Sequence, residues 1–379
     1  MDRSSCTSSS DRLTARREQL LGIAGALAIL LSFELLISRA EGLWTRDPRS
    51  KTGLHDVLVH EVVPDHRDAR IVFLGDSCMR DAFDPIQVEN ELGLERGQVL
   101  NLGVTGGTPF DCELLWREAR PQLEGPDVVV VGLEDHHFGP RTPTDIEQHH
   151  ASLAERLHDF GGETRMQLLA ASAWETFAAR DLLEKQVQTA VRGTDRSLPI
   201  GTDGRVEWRK PEEVRESGPA DHDPEPRLTE LFGPMRELRE SEGSPLSDRA
   251  LQPIDRLIES ILRDERPLRL VVLRLPRRPS FETASRENFY QEFAAVRHAL
   301  DQLQGAYPRA LVIDGARHPD ALGSLDETDF YDWGHATGSG SRKLGAQIVK
   351  FVRRLTPSLP WMRIPLHGDP SIPQPSPPK

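Results

Sequence analysis

Cysteine is scarce in this chain: Cys6, Cys78 and Cys112 are the three in 379 residues, and no CxxC pair occurs. A disulfide-scaffolded fold and a CxxC zinc pattern are thereby excluded. Positive charge is in deficit, with 47 Lys and Arg against 60 Asp and Glu and a formal net charge of −13. No run of Lys and Arg exceeds three. Nucleic acid is excluded as a partner, because phosphate binding needs a basic stripe. Asparagine is as scarce as cysteine: Asn90, Asn101 and Asn288 are all there is. There is no internal repeat and no P-loop spacing.

One long apolar run is present. Residues 20–37 read LLGIAGALAILLSFELLI, with Ser32 and Glu34 as the polar members. At 1.5 Å per residue this is about 27 Å of helix, enough to cross a hydrocarbon core. The reading taken is a transmembrane helix over 20–38, after a cytoplasmic tail (1–19) and before a polar stalk (39–68). A cleaved signal peptide and a buried soluble helix are the other readings of the same run. Against cleavage, Ser38-Arg39-Ala40 is a poor small-residue site. Arg3, Arg12, Arg16 and Arg17 precede the run, and Arg39, Arg46, Arg49 and Lys51 follow it. The positive-inside rule is therefore balanced. A short tail ahead of a first hydrophobic segment behaves as a signal anchor, so the expectation is a single-pass protein of the cytoplasmic membrane with its body extracytoplasmic.

Beyond the stalk, short apolar runs at 69–75, 98–102, 127–131, 268–274 and 310–314 read as buried strands. Helical patterns at 113–123, 286–303 and 341–355 lie between or after them. This alternation predicts an α/β domain over 69–358, a doubly wound parallel sheet covered on both faces. A helical insertion interrupts it at about 136–266, with helical segments near 145–160, 164–191 and 251–263. Its Pro-, Gly- and charge-rich section, 192–248, reads as a solvated, partly disordered stretch; a lid or docking surface is the functional alternative. The tail over 359–379 is Pro-rich and expected to be extended.

Three stretches carry candidate chemistry. Gly75-Asp76-Ser77 follows the first strand, where a strand-to-helix turn exposes a hydroxyl beside free backbone amides. Asn101-Leu102-Gly103-Val104-Thr105-Gly106-Gly107 follows the second strand and lets backbone approach a ligand. Asp332-Trp333-Gly334-His335 precedes the last helix, with a carboxylate spaced to orient an imidazole. His335 is then the base for Ser77. The adjacent pairs His136-His137 and His149-His150 lack the i, i+4 spacing of a helical metal site, so no metal is expected. Arg277-Arg278, after the fourth strand, is either a solvated pair or a greeting for an anionic substrate.

Together these stretches resemble the blocks of the SGNH, or GDSL-type, hydrolase superfamily over about 69–134 and 266–355. The resemblance implies a three-layer α/β fold without cofactor, with Ser77 as nucleophile, His335 as base and Asp332 as its orienter. It implies an oxyanion hole from the amides of Ser77 and Gly103, with Asp76, Asn101, Arg80 and Arg277 on the substrate side. The third block, Gly-x-Asn-Asp, is replaced by Gly132-Leu133-Glu134-Asp135. An ionised Glu134 cannot donate to an oxyanion; losing one such donor costs about 2.7–4 kcal/mol of transition-state stabilisation. Arg80, His136 and Arg274 are possible substitutes. The layout is similar to that of membrane-anchored members such as the alginate O-acetyltransferase accessory enzymes and the D-alanine transfer protein. It implies an esterase or O-acyltransferase acting on O-acyl groups of a cell-surface polysaccharide or a small acyl ester, with a multi-pass acyltransferase as membrane partner. The alternative is a catalytically silent binding or assembly protein for envelope glycan. If the body is extracytoplasmic, a Cys78–Cys112 disulfide tying the two loops together is one option, and two free thiols are the other.

Overall fold

The computed structural model describes residues 9–39, 50–140, 144–158, 162–173, 225–246, 248–264, 268–316 and 325–355. Helix α1 spans Ser9–Arg39. Its 18-residue stretch Gln19–Leu36 is long and apolar enough to cross a membrane, and none of it is buried against the protein. The Ser32 hydroxyl donates to Ala28 O at 2.8 Å, so this polar side chain is satisfied within its own helix.

Helix α2, Lys51–Val57, continues through a π-helical turn, Leu58–Val62, into Val63–Asp65. Leu54, Leu58, Val59, Val62 and Val63 are buried. These residues were expected to be stalk. They pack on the sheet because their apolar side chains fall at helical spacing, which the interleaved charges mask.

Strand β1 (Ile71–Gly75) leads into α3 (Ser77–Ala82) and α4 (Pro85–Leu92). Strand β2 (Val99–Gly103) leads into α5 (Pro109–Ala119), and β3 (Val128–Leu133) follows. The insertion holds α6 (Asp145–His150), α7 (Leu153–His158), α8 (Gly162–Ala173), α9 (Glu225–Glu242) and α10 (Asp248–Leu262). Strand β4 (Arg269–Arg274), α11 (Pro279–Asn288), α12 (Tyr290–Ala306), β5 (Ala310–Asp314) and α13 (Gly338–Leu355) complete the body. Helix α5 begins four residues earlier than the pattern predicts, because Thr108 caps it with Asp111 and Pro109 takes its first position.

The five strands are all parallel, in the order β2-β1-β3-β4-β5. This is the doubly wound α/β sheet that the sequence predicts. Alternate residues feed two separate cores. Val72, Leu74, Leu102, Val129, Val131 and Val272 face α2, α5, α10 and α12. Ile71, Phe73, Val128, Val130, Val271 and Leu273 face α3, α4 and α13. Strand order reverses at β1, whose neighbours β2 and β3 lead away in opposite directions, so a crevice opens at the carboxyl ends of β1 and β3.

Part of the section expected to be solvated is packed. Leu228, Phe232 and Met235 of α9 are buried, and Phe232 stacks on Phe289 at 5.3 Å. Eight charged residues among the eighteen of α9 hide that narrow apolar stripe from a composition-based reading. Residues 174–224, the Pro-rich tail, Cys6 and the residues over 40–49 lie outside the described residues.

Candidate active site

The crevice is built at the ends of β1, β2 and β3. Asp76 leaves β1 in extended conformation and caps α3, its Oδ1 accepting from the amides of Cys78 (2.9 Å) and Met79 (3.3 Å). Ser77 is thereby the first residue of the helix and is 9 % exposed. Glycines permit the tight approach: a Cβ on Gly75 would stand 2.5 Å from Met79 Cβ, and one on Gly103 would stand 2.8 Å from Arg80 Cα.

The third stretch arrives from the other end of the chain. A 3-10 turn at Glu327–Asp329 and a bridge between Phe330 and Ala336 fold 330–336 into a tight loop ahead of α13. Lys343 of α13 fixes the turn by donating to Asp329 at 2.6 Å. Within the loop, Asp332 Oδ1 accepts from the amides of Gly334 (2.9 Å) and His335 (2.8 Å). Its Oδ2 lies 2.7 Å from His335 Nδ1, and His335 Nε2 lies 2.8 Å from Ser77 Oγ. With its Nδ1–H given to the carboxylate, the ring presents Nε2 as the acceptor of a hydrogen bond from the Ser77 hydroxyl.

Burial works to lower the His335 pKa, but the hydrogen bond and charge of Asp332, with Asp81 and Asp76 behind it, outweigh burial and raise it. Burial works to raise Asp332, yet the bonds and charge of His335 hold it below the usual carboxylate range. The ring is stacked on Tyr331 (5.4 Å, 17°) and meets the Trp333 edge at 5.9 Å. Tyr331 Oη donates to Asp81 Oδ2 at 2.8 Å, tying the loop to α3.

The remaining expected site residues are braces. Asn101 is buried; its Nδ2 donates to Arg80 O (3.2 Å) and Phe83 O (2.8 Å), and its Oδ1 accepts the Gly103 amide (3.1 Å). Neither Asn101 nor the Gly103 N–H is open to a ligand in this arrangement. In the loop that follows, Val104 N is bonded to Gly75 O and Gly107 N to Val104 O. Among the described residues, the amides of Thr105 and Gly106 make no hydrogen bond, and Gly106 stands at φ +58°. Arg80 spans from Asp81 to Thr105 Oγ1 (2.7 Å).

Arg277 is no greeting for an anion, because it is 3 % exposed. Its Nε and Nη2 both donate to Glu134 Oε2 at 3.1 Å, and Nη1 lies 2.9 Å from Asp135 Oδ2. Arg274 is buried beside it and grips Asp135 twice, at 2.6 and 2.9 Å, and Asp314 at 2.9 Å. Arg274 and Arg277 are held in ion pairs with Asp135, Asp314 and Glu134, and burial with the neighbouring His137 lowers the His136 pKa, so none of them replaces a missing oxyanion donor as a free cation. Arg277 also lies 5.3 Å from the Trp333 ring, which links this ion cluster to the His335 loop. Sequence reasoning missed the cluster, since its members come from the carboxyl ends of β3, β4 and β5 and the residues just after them. Arg278 pairs with Glu327.

Glu134 is fully enclosed. Burial is the largest influence on it; the attraction of Arg277 opposes that, Asp76 and Asp135 reinforce it, and the carboxyl is pushed up to about 8. Its Oε1 has no hydrogen-bond partner among the described residues. A carboxylate oxygen of Glu134, one of Asp76 and Cys78 Sγ lie within 4.8 Å of one another, Asp76 and Cys78 being the chain neighbours of Ser77. The Glu134 amide donates to His137 Nδ1 (3.0 Å), so His137 is the neutral Nε2–H tautomer that donates to Gly107 O (3.1 Å). Burial lowers the His137 pKa, in keeping with that neutral ring.

Cys78 and Cys112 are both free and buried, so of the two options the unpaired one is found. Burial raises both thiols, which removes them as nucleophiles.

No protein-family model and no curated protein matches the chain. Among solved structures, the chain is similar to "a putative platelet activating factor from Streptococcus pneumonia", at 13 % identity and a TM-score of 0.36, over 88 % of this chain and 99 % of that one. A likeness at that score says nothing about shared chemistry.

Proposed function

We propose that the protein is an SGNH-type ester hydrolase or O-acyltransferase. The observation that carries this reading is the unbroken chain Ser77 Oγ–His335–Asp332, at 2.8 and 2.7 Å, at the sheet's topological switch point. Ser77 Oγ attacks the acyl carbonyl as its proton passes to His335 Nε2. The oxyanion takes a hydrogen bond from the Ser77 amide. The tetrahedral intermediate collapses, the C–O bond to the alcohol breaks, and His335 returns the proton to the leaving oxygen. The acyl group then passes from Ser77 to water or to a sugar hydroxyl, with His335 again as base.

Glu134 acts here as a neutral acid. Its unpartnered Oε1 carries the proton and supplies the donor that the third-block Asn supplies in the family. Helix α1 anchors the protein in the cytoplasmic membrane with the body outside, the substrate is an O-acylated surface glycan or a small acyl ester, and the membrane partner is a multi-pass acyltransferase. No cofactor is required.

The test is p-nitrophenyl acetate turnover and fluorophosphonate labelling by the full-length protein in detergent, beside Ser77→Ala. Turnover and labelling that vanish in the variant support the reading. Equal rates and no labelling would leave the second reading, a silent glycan-binding protein, which the Arg277 grip on Glu134 favours.

A further inference from the structure

Away from the crevice, α2, α5 and α6 bring together His55, Glu118 and His150. The two imidazole rings lie 4.1 Å apart at 40°. His55 Nε2 is 3.9 Å from Glu118 Oε2, and His150 Nδ1 is 3.5 Å from Glu118 Oε1. One ligand atom from each residue falls within 4.8 Å of the other two. The opposite edges of both rings face one carboxylate: Asp56 Oδ1 is 3.9 Å from His55 Nδ1 and 3.4 Å from His150 Nε2.

Hydrogen bonding does not account for this cluster. His55 is 0 % exposed, and neither of its ring nitrogens has a hydrogen-bond partner; nor does His150 Nε2. A buried polar group left unsatisfied costs about 1–3 kcal/mol. The separations are too long for hydrogen bonds, whose usual range ends near ~3.2 Å. They approach another spacing. Ligands about 2.0–2.1 Å from a tetrahedral zinc ion stand roughly 3.3 Å from one another; with one atom from each residue already within 4.8 Å of the others, a tightening of at most about 1.5 Å closes the set. Each ring would turn one nitrogen to the metal and the other to an outer carboxylate, the arrangement that fixes metal-bound histidines.

We propose that His55, Glu118 and His150 form a binding site for one divalent transition cation of the zinc class, with Asp56 orienting both imidazoles. Water completes the coordination, since the Glu118 and His150 side chains are 29 and 18 % exposed. The role is a structural clamp. Glu118 lies ten residues along α5 from its Thr108 cap, about 15 Å from the crevice end of the helix. The cation joins the segment that follows α1 to two helices of the body, and it is independent of any chemistry at Ser77. Sequence reading set His150 aside because its neighbour His149 is adjacent; its true partners come from distant parts of the chain.

The experiment uses the full-length protein, purified in detergent without a polyhistidine tag, stripped with a chelator and titrated with zinc alone. Expected results are one tightly bound zinc per chain by elemental analysis, a higher Tm, and weakening of at least tenfold in His150→Gln and Glu118→Gln. Asp56→Asn weakens binding about 10–100-fold. His150 and Glu118 are partly exposed, so these variants fold; circular dichroism checks this. Cobalt substitution should give the visible absorption of a four-coordinate N/O site. Absence of stoichiometric binding by the wild type, or unchanged affinity in His150→Gln, would overturn the proposal.

Discussion

The side-chain oxygen of Asn101 accepts the amide of Gly103 at 3.1 Å. With the two bonds from its Nδ2 to the α3–α4 backbone, this makes Asn101 a strut beneath the crevice. Replacing Asn101 with Ala strands buried backbone groups, each worth about 1–3 kcal/mol. Chemical denaturation should show a loss of roughly 2–4 kcal/mol. Fluorophosphonate labelling of Ser77 should persist in the folded fraction, because Asn101 touches no reacting atom. Loss of labelling at full stability would assign Asn101 to the substrate instead.

Asp332 sets both the tautomer and the basicity of His335. Asp332→Asn should lower kcat/KM about 10³–10⁴-fold. The base acts when neutral, so the rate rises with pH through the His335 pKa, which lies above the ordinary value. Removing the Asp332 charge leaves burial as the larger influence and moves this acidic limb to lower pH. A limb that stays in place would show that Asp332 does not raise the base.

Glu134 predicts the other limb. In the proposed mechanism its neutral form is the donor, so activity should fall as pH rises through about 8. Glu134→Gln keeps a donor without a titrating proton and should abolish this alkaline limb while retaining activity. Glu134→Ala should lose on the order of 10²–10³-fold, the usual consequence of deleting one oxyanion donor. If Glu134→Gln keeps the alkaline limb, the proton belongs elsewhere.

Phe232 tests the insertion. It is buried among Phe289 and the Arg277 guanidinium, although composition marks its surroundings as solvated. Phe232→Ala should cost roughly 3–5 kcal/mol, read from the urea midpoint. A change under ~1 kcal/mol would mean that α9 contributes little to the core.

The sequence by itself determined the strands and their order of appearance. Runs such as Val128–Leu133 have no other stable use than a sheet buried on both faces, and an apolar run the length of Gln19–Leu36 declares itself. It also marked Ser77, Asp332 and His335, because each sits in a local pattern next to a strand or helix end. Which groups are open to a ligand was decided by tertiary structure alone. Asn101 and Arg277 look like binding residues in a string of letters and prove to be buried braces, since their partners lie up to 143 positions away. The same holds for the helix after α1, for α9, and for His55 beside His150. Charge and burial act through space, and only the folded chain sets which charges face one another.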